Sequence, residues 1–412
     1  MATLDGWIER LDEESGLPAG PLRIAARIDL GYRSIEGDRI SGQLVPREGG
    51  GSDYPGSMPA PRVNRADAAV AIDLNAGPFT IAATRNPTGD VRGRTEALYA
   101  LYGTRFVEVW AGRRPLSFGR SRYDGIVLGP TARFDGFGIE LPAGFRLPAF
   151  LRHLGEVRVS QTFARMDRSG PIDNPLFLGT RVIFAPSAAI AIGLNRAVIF
   201  GGAGNQPVTF ERTFWMLLGQ TDIGSKDSDF ENQVASIDLH WRPGSSGWSL
   251  FGEYGFDDAG GAFFRVPAFT IGARLTRLPG LSALGAAAEF THMTSHCCGH
   301  PPWYQHAVLA EGWSDRGVLL GHPLGGEGSE LAVTLRGDFA RARLITEARF
   351  RITHRGEENL LVPEFEGTGT GAELYAMARL HPNVRLVLEL SGDRFPNSRD
   401  RHDAWIGLRG VF

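Results

Sequence analysis

The stretch RARLITEARFRI, residues 341–352, shows the pattern that recurs along most of this chain. Small and apolar side chains occupy one set of alternate positions, namely Ala342, Leu344, Ala348, Phe350 and Ile352. Charged side chains occupy the other set, namely Arg341, Arg343, Glu347, Arg349 and Arg351. Because successive side chains of a strand point to opposite faces, the alternation predicts a β-strand with one apolar and one charged face.

Similar segments recur from near residue 22 to the end of the chain. They include RIAARIDLGYR (23–33), ASIDLHWR (235–242), FTIGARLT (269–276), NVRLVLEL (383–390) and AWIGLRGVF (404–412). Several reach the length of about 9–11 residues that crosses a bilayer at a tilt. A soluble sandwich shows the same alternation. The recurrence without a domain break, and the many small residues on the apolar face, favour an all-β transmembrane antiparallel barrel.

The energy of burying charge in lipid predicts which face points inward. One arginine facing lipid at the bilayer midplane costs about 2–4 kcal/mol, so a reversed 341–352 segment would be strongly disfavoured. We therefore expect the charged face to line a water-filled lumen. The predicted lumen-lining residues are Arg23, Arg27, Arg33, Asp238, Glu253, Arg341, Arg343, Arg349 and Arg351.

The pattern predicts one barrel domain over residues 21–412, after an N-terminal extension of residues 1–20 that is acidic and lacks the apolar core of a signal peptide. Roughly sixteen to eighteen alternating segments would enclose an aqueous interior. GRTEALYALYG (93–103) and TFERTFWMLLG (209–219) are predicted to be short helices, acting as plugs or loop helices. Residues 44–62 are rich in glycine and proline and are expected to form a mobile loop, and residues 242–248 a hairpin turn.

Composition excludes several classes of protein. A net charge of −3 gives no bulk field that would attract nucleic acid. Cys297 and Cys298 are the only cysteines, so no disulfide framework is expected. No apolar run of about 18 residues exists that would form a transmembrane helix.

The stretch HMTSHCCGHPPWYQH (292–306) concentrates residues that could bind a metal: His292, His296, Cys297, Cys298, His300 and His306. Zinc needs four such ligands. Adjacent cysteines rarely serve one ion, and Pro301 and Pro302 oppose the helix that would align His296 with His300. The preferred interpretation is a polar loop between strands, with a sugar-contact loop and a metal site as alternatives. No metal and no cofactor is predicted.

The segment from residue 303 to 322 is the stronger functional candidate, because flat apolar rings suit the C–H faces of sugars and planar polar groups suit their hydroxyls. The predicted rings are Trp303, Tyr304 and Trp313. The predicted polar contacts are Gln305, His306, Glu311, Asp315, Arg316 and His322. The alternative is that the rings form an interfacial girdle and the polar groups line the lumen.

FGEYGFDDAG (251–260) carries Glu253, Asp257 and Asp258. Two carboxyl groups about 5–10 Å apart could hydrolyse a glycosidic bond. A structural ion-pair network is the preferred interpretation, and no catalytic residue is predicted.

Three stretches resemble a known family, the outer-membrane capsule-assembly proteins of the Wzi type. They are FLGTRVIFAPSAAIAIGLNRAVIFGGAG (177–204), FENQVASIDLHWRPGSSGWSLFGEYGFDDAG (230–260) and WYQHAVLAEGWSDRGVLLGHPLGGEGSE (303–330). The terminal Phe412 is typical of bacterial outer-membrane barrels. The resemblance covers residues 105–412.

The resemblance implies a closed barrel of about 18 strands, plugged inside. It implies a non-enzymatic lectin in the outer membrane that retains capsular or extracellular polysaccharide at the cell surface. We also expect a monomer in contact with outer-membrane lipid. Two alternatives stay open at this point. One is a porin or glycan-export channel with the same wall, and the other is a metal- or carboxylate-dependent enzyme acting on polysaccharide.

Overall fold

A computed structural model describes residues 22–36, 63–85, 95–119, 125–129, 132–166, 172–217, 231–244, 247–257, 267–295, 302–306, 309, 312–315, 318–340, 343–361, 366–396 and 400–412. The strands in chain order are β1 (Leu22–Glu36), β2 (Val63–Ala76), β3 (Phe79–Arg85), β4 (Thr95–Gly103), β5 (Glu108–Pro115), β6 (Arg133–Glu140), β7 (Phe145–Arg146), β8 (Glu156–Arg165), β9 (Leu176–Ser187), β10 (Ile190–Phe200), β11 (Asn232–Trp241), β12 (Trp248–Asp257), β13 (Ala268–Leu275), β14 (Leu284–Met293), β15 (Ser314–Asp315), β16 (Val318–Leu319), β17 (Gly328–Phe339), β18 (Leu344–Arg355), β19 (Gly367–His381), β20 (Val384–Arg394) and β21 (Arg401–Val411). The described helices are the α-helix α1 (Phe210–Leu217) and a 3₁₀-helix (Ala149–Leu154).

The main sheet closes into a barrel. It contains 19 strands, and one of them, β7, pairs only through two residues with β8, which leaves 18 strands in the wall. Every wall strand is antiparallel to both neighbours, and the first strand pairs with the last, with Leu30 opposite Leu408. Closure removes the unpaired sheet edges that a membrane does not tolerate. The predicted all-β antiparallel barrel is confirmed.

The two ends of the barrel differ in the length of their connections. At one end, which also holds Phe412, two-residue turns at 77–78, 188–189 and 382–383 join strand pairs. At the other end the connections are longer, including residues 116–132, 201–231 and 294–327. We call these the short-turn end and the long-connection end. Outer-membrane barrels characteristically combine short periplasmic turns with long extracellular loops.

Alternation assigns the two faces of each wall strand. Along β18, Arg349, Arg351 and Arg355 are buried inside the barrel, whereas Phe350 and Ile352 are exposed outside. The outer surface carries many exposed large apolar side chains, among them Ile24, Leu30, Ile81, Leu98, Phe137, Leu194, Ile237, Leu239, Ile271, Val333, Leu335, Phe350, Ile406 and Leu408. Exposed aromatic residues border this surface at the short-turn end, namely Phe79, Tyr102, Phe106, Trp241, Trp248, Phe339 and Phe412. A lipid-facing belt with an aromatic girdle has this composition.

Neither described helix combines the length and the apolar character needed to pass through a membrane.

The interior has an apolar half and a charged half. Strands from β5 to β14 contribute buried apolar side chains such as Trp110, Phe134 and Phe177 to one large cluster. Strands β17 to β21 and β1 instead contribute buried charged groups, namely Asp29, Glu330, Glu347, Arg349, Arg351, Arg355, Arg385, Asp393, Arg401 and Arg409. The inner face of the wall therefore carries mainly apolar side chains on one side and many charged side chains on the other.

Of the two predicted short helices, the first is wrong, and the second is present but as a loop helix rather than a plug. Residues 95–103 form the wall strand β4 rather than a helix, because pairing with β3 and β5 places Tyr99 inside and Leu98 outside. The segment 209–219 does contain a helix, α1, but it lies outside the wall and does not plug the lumen. The proposed loop at 44–62 lies outside the described residues.

Candidate functional site

Two long connections fold into the barrel at the long-connection end. We call their described residues, within 116–129 and 302–324, the plug. Apolar residues of both segments, such as Ile126, Val127, Leu320 and Leu324, are completely or almost completely buried against each other and against the apolar half of the wall. Gly129 donates its N–H to the carbonyl of Leu320 at 2.7 Å, which joins the two segments.

The three predicted sugar-stacking rings form the centre of the plug. Trp303, Tyr304 and Trp313 are each 0% exposed, so none of the rings presents a face to solvent. The Tyr304 hydroxyl donates to the Ile126 carbonyl at 2.6 Å, and the Trp313 indole N–H donates to the Val127 carbonyl at 2.8 Å. These bonds satisfy the polar atoms of both side chains within the plug. Direct stacking of sugars on these rings, as the sequence predicts, would therefore require the plug to open.

Wall carboxylates hold the plug in place. Asp257 accepts the backbone N–H of Tyr304 at 2.6 Å. Glu253 accepts the N–H of Ile126 at 3.2 Å through one oxygen and the Ser236 hydroxyl at 2.6 Å through the other. Both carboxylates are buried. These contacts are hydrogen bonds to backbone and hydroxyl groups rather than the ion pairs expected for FGEYGFDDAG, while Asp258 lies outside the described residues.

A second wall contact holds the first plug segment. Arg181 donates to the carbonyls of Ser117 and Gly119, at 3.3 and 3.0 Å, and lies 3.5 Å from Asp238. Asn195 donates to the same Asp238 carboxylate at 2.8 Å. Gly119 has a φ of +97°, and a Cβ there would lie 2.6 Å from Glu253 Oε2, so the position requires glycine.

The predicted histidine contacts also serve the plug. The backbone N–H of His322 donates to the Tyr304 hydroxyl at 3.0 Å, and its ring Nδ1 accepts the N–H of Leu324 at 3.0 Å. His306 Nδ1 accepts the N–H of Leu309 at 3.0 Å. Both rings are buried.

The remaining predicted glycan contacts separate into three situations. Asp315 is buried in the short hairpin formed by β15 and β16. Gln305 is partly exposed and donates to the Glu358 carbonyl at 2.7 Å. Glu311 and Arg316 lie outside the described residues.

The histidines and cysteines of 292–306 are only partly described. His292 lies on the outer face of β14, with its ring 5.6 Å from that of Phe269, whereas His306 is buried inside. These two residues point to opposite sides of the wall and cannot share an ion. His296, Cys297, Cys298 and His300 lie outside the described residues, and no group of three potential ligands occurs among the rest.

The predicted lumen arginines lie mostly in the charged half. Arg349 contacts Glu330 at 3.3 Å, and Arg351 bridges Glu373, at 2.6 Å, and Asp393. Arg23 and Arg27 lie on the inner face of β1, and Asp238 and Glu253 on the inner face of the apolar half. Arg343 differs from expectation: it is exposed in the turn between β17 and β18, because the alternation begins only at residue 344. The Arg33 side chain and Arg341 lie outside the described residues.

Sequence reasoning missed one polar contact between the charged half and the plug. Arg355 is completely buried, donates to the carbonyls of Leu324 and Pro323 at 3.0 and 3.4 Å, and covers the ring of Phe395. Its place on the inner face follows from the alternation of 341–352 continued by three residues. Its carbonyl partners lie in a loop without periodicity, so no sequence signal identified them.

Comparisons with known proteins agree on the fold. The family model described as capsule assembly protein Wzi matches residues 61–404. The structure of Wzi from Escherichia coli, described as an outer-membrane, carbohydrate-binding β-barrel involved in group 1 capsule assembly, superposes with a TM-score of 0.73 at 17% identity, covering 98% of this chain and 87% of that one. The structure of OpdQ from Pseudomonas aeruginosa superposes with a TM-score of 0.54 at 10% identity, covering 95% of this chain and 98% of that one. The structure of OccK11 (OpdR) from the same organism superposes with a TM-score of 0.53 at 11% identity, covering 95% of this chain and 96% of that one. No curated protein matches the chain in sequence.

Proposed function

The chain belongs to the Wzi family of capsule assembly proteins, and from that premise we propose that it is a carbohydrate-binding barrel of the outer membrane. It holds capsular or extracellular polysaccharide at the cell surface. The observation that carries the proposal is the plug, together with family membership. A wall with a lipid-facing belt places the molecule in a membrane, and an interior occupied by the plug at the long-connection end suits retention at that surface better than passage through it.

The plug gives the proposed binding surface its rigidity. Trp303, Tyr304 and Trp313 act as its internal supports, through the contacts with Ile126 and Val127 described above. Sugars then contact the polar groups that the same segment leaves accessible. Gln305 is the described candidate, and Glu311 and Arg316 are proposed from the sequence.

Loss of the gene tests the cellular role. A deletion strain should release polysaccharide into the medium and keep less on its surface, and the wild-type gene should restore retention. A deletion strain with a full surface layer would contradict the proposal.

Binding by the purified barrel tests the molecular role. Fluorescently labelled capsular polysaccharide should bind the detergent-solubilised protein, and Gln305→Ala should weaken binding. Asn383→Ala, at an exposed turn of the short-turn end, is the matched control and should bind like the wild type. Equal binding by both variants would remove Gln305 from the proposed surface.

The two alternatives predict different measurements. A channel would give a large, steady ion current in planar bilayers, whereas a plugged barrel gives little current. A polysaccharide-cleaving enzyme would shorten the glycan chain on incubation, whereas a binding protein leaves its length distribution unchanged.

A further inference from the structure

The helix α1 packs on the outside of the barrel wall. In β10, Asn195, Ala197 and Ile199 point inward, so Val198 and Phe200 point outward. Both outward residues are nevertheless buried, together with Leu178 of β9, in a cluster with Met216 of α1. A patch of the outer surface that would otherwise face lipid is therefore covered by this helix.

A charged residue fixes the C-terminal end of the helix to the wall. Arg196 also lies on the outer face of β10, and its Nη1 donates to the Met216 carbonyl at 2.5 Å. Its Nε and Nη2 donate to Gln233 of β11 at 3.2 and 3.1 Å. The C-terminal carbonyls of a helix carry partial negative charge and favour a cation. An arginine on the outer face is thus partnered by the helix and by a neighbouring strand.

Away from Met216, α1 exposes three large apolar side chains. Phe210 is 88% exposed, Phe214 45% and Leu217 42%. The rings of Phe210 and Phe214 stack with centroids 6.4 Å apart, as residues at i and i+4 of a helix do. An apolar face of this kind in water would be unfavourable by about 25 cal/mol for each Å² exposed.

The position of α1 along the wall matches the boundary of a bilayer. Ile190 and Phe200 lie at the two ends of β10. With a rise of about 3.3 Å per residue and a strand tilt of about 40°, the two ends lie about 25 Å apart along the barrel axis. This distance equals the height of a lipid-facing belt. The helix covers the Phe200 end, at the long-connection side. The belt reaches the helix, because the exposed Phe137 stacks on Phe163 and Phe163 packs against the cluster that contains Met216.

We propose that α1 is an interfacial helix, whose Phe210, Phe214 and Leu217 face inserts among the acyl chains just below the headgroups of the leaflet at the long-connection end. The helix lies in the plane of the interface, as amphipathic interfacial helices do. Met216 and Arg196 hold it against β9 and β10. The proposal rests on the membrane location within the proposed function and adds a lipid contact outside the wall itself.

Site-directed fluorescence tests the lipid contact. In a background with Cys297→Ser and Cys298→Ser, single cysteines are introduced by Phe210→Cys, Ile237→Cys and Glu357→Cys and labelled with an environment-sensitive dye. The proteins are reconstituted into vesicles of phosphatidylethanolamine and phosphatidylglycerol. Nitroxides on the acyl chain, one near the headgroup and one near the chain end, report lipid contact at the two depths, and iodide reports contact with water.

Position 237, in the lipid-facing belt, should be quenched by the nitroxide near the chain end, and position 357, in an exposed loop, by iodide. Position 210 should be quenched by the nitroxide near the headgroup. If iodide quenches the dye at position 210 while a nitroxide quenches it at position 237, the proposal of an interfacial helix is wrong and the membrane location of the barrel still holds. Loss of nitroxide quenching at both 210 and 237 would overturn the barrel's membrane location as well. Shielding of position 210 from iodide only after polysaccharide is added would mark a sugar contact and also overturn the lipid contact.

Discussion

Arg409 and Asp29 form an ion pair across the seam where the last strand meets the first, with Nε 2.9 Å from Oδ1 and side chains that are 0% and 1% exposed. The two residues are 380 positions apart in the chain. Removing one member of a buried ion pair typically destabilises by about 3–5 kcal/mol. We therefore expect Asp29→Asn to lower the temperature at which the folded barrel loses its distinct gel mobility.

Asp338→Asn is the matched control for the seam, because the Arg336–Asp338 pair spans 3.8 Å and both side chains are substantially exposed. Exposed pairs contribute at most about 1 kcal/mol. The double variant Asp29→Asn with Arg409→Gln should recover part of the loss. An unfolding temperature for Asp29→Asn equal to that of the wild type would show that the seam does not depend on this pair.

Tyr304→Phe tests the plug without changing its shape. The substitution leaves the Ile126 carbonyl and the His322 N–H without the hydroxyl that they share. A buried group left without a partner costs about 1–3 kcal/mol. We expect faster amide exchange in residues 125–129 and 320–324, and a higher bilayer conductance than wild type.

Tyr102→Phe is the control for this experiment, since Tyr102 lies on the exposed outer surface at the short-turn end. It should change neither amide exchange nor conductance. Unchanged exchange in Tyr304→Phe would mean that apolar packing alone holds the plug.

Gly255→Ala tests the fit between the wall and the plug. A Cβ at Gly255 would lie 2.6 Å from Ile126 Cγ2 and 3.2 Å from the Trp303 ring, both buried. Overpacking of this kind costs about 1–3 kcal/mol. Gly252→Ala on the same strand places its Cβ no closer than 3.4 Å to its neighbours and serves as control. Conductance should rise and thermal stability fall only for Gly255→Ala; equal behaviour of the two variants would argue against close packing of the plug on β12.

Val333→Arg tests the lipid-facing surface. Val333 is exposed in the middle of β17, where an arginine costs about 2–4 kcal/mol in a bilayer. Phe339→Arg, on the same strand at the short-turn end, should cost about 1 kcal/mol or less because it reaches the interface. Folding yield into vesicles, measured by gel mobility, should fall more for Val333→Arg. The reverse order would place the midplane near the short-turn end.

The wall could be predicted from the sequence pattern, whereas the plug was implied only by the family resemblance and the residues that form it could not be predicted. Alternation at period two is a local signal, and it placed Arg349 and Arg351 inside and Phe350 outside. The plug depends on contacts such as Tyr304 with Ile126 and Trp313 with Val127, 178 and 186 positions apart. These loops have no periodicity, so their aromatic residues were indistinguishable from exposed sugar-binding rings.

One wall strand was misread because local propensity was given too much weight. TEALYALYG in β4 is rich in alanine and leucine, which favour helices in isolation. Pairing with strands on both sides outweighs a preference of a few tenths of a kcal/mol per residue. The position of α1 outside the wall could not be predicted either, because its sequence predicts a helix without indicating which surface the helix covers.

The connectivity of the sheet has a consequence for the order in which it assembles. Of the 18 neighbour pairings described in the wall, that of β1 with β21 is the one that joins wall strands that are not consecutive along the chain. Bringing together ends 380 residues apart in an unfolded chain costs about 5 kcal/mol of entropy. Sequential hairpins remove most of that cost first, so the β1–β21 pairing should form last. Until it does, both outer strands carry unpaired N–H and C=O groups, and a second copy of the growing sheet can compete for them.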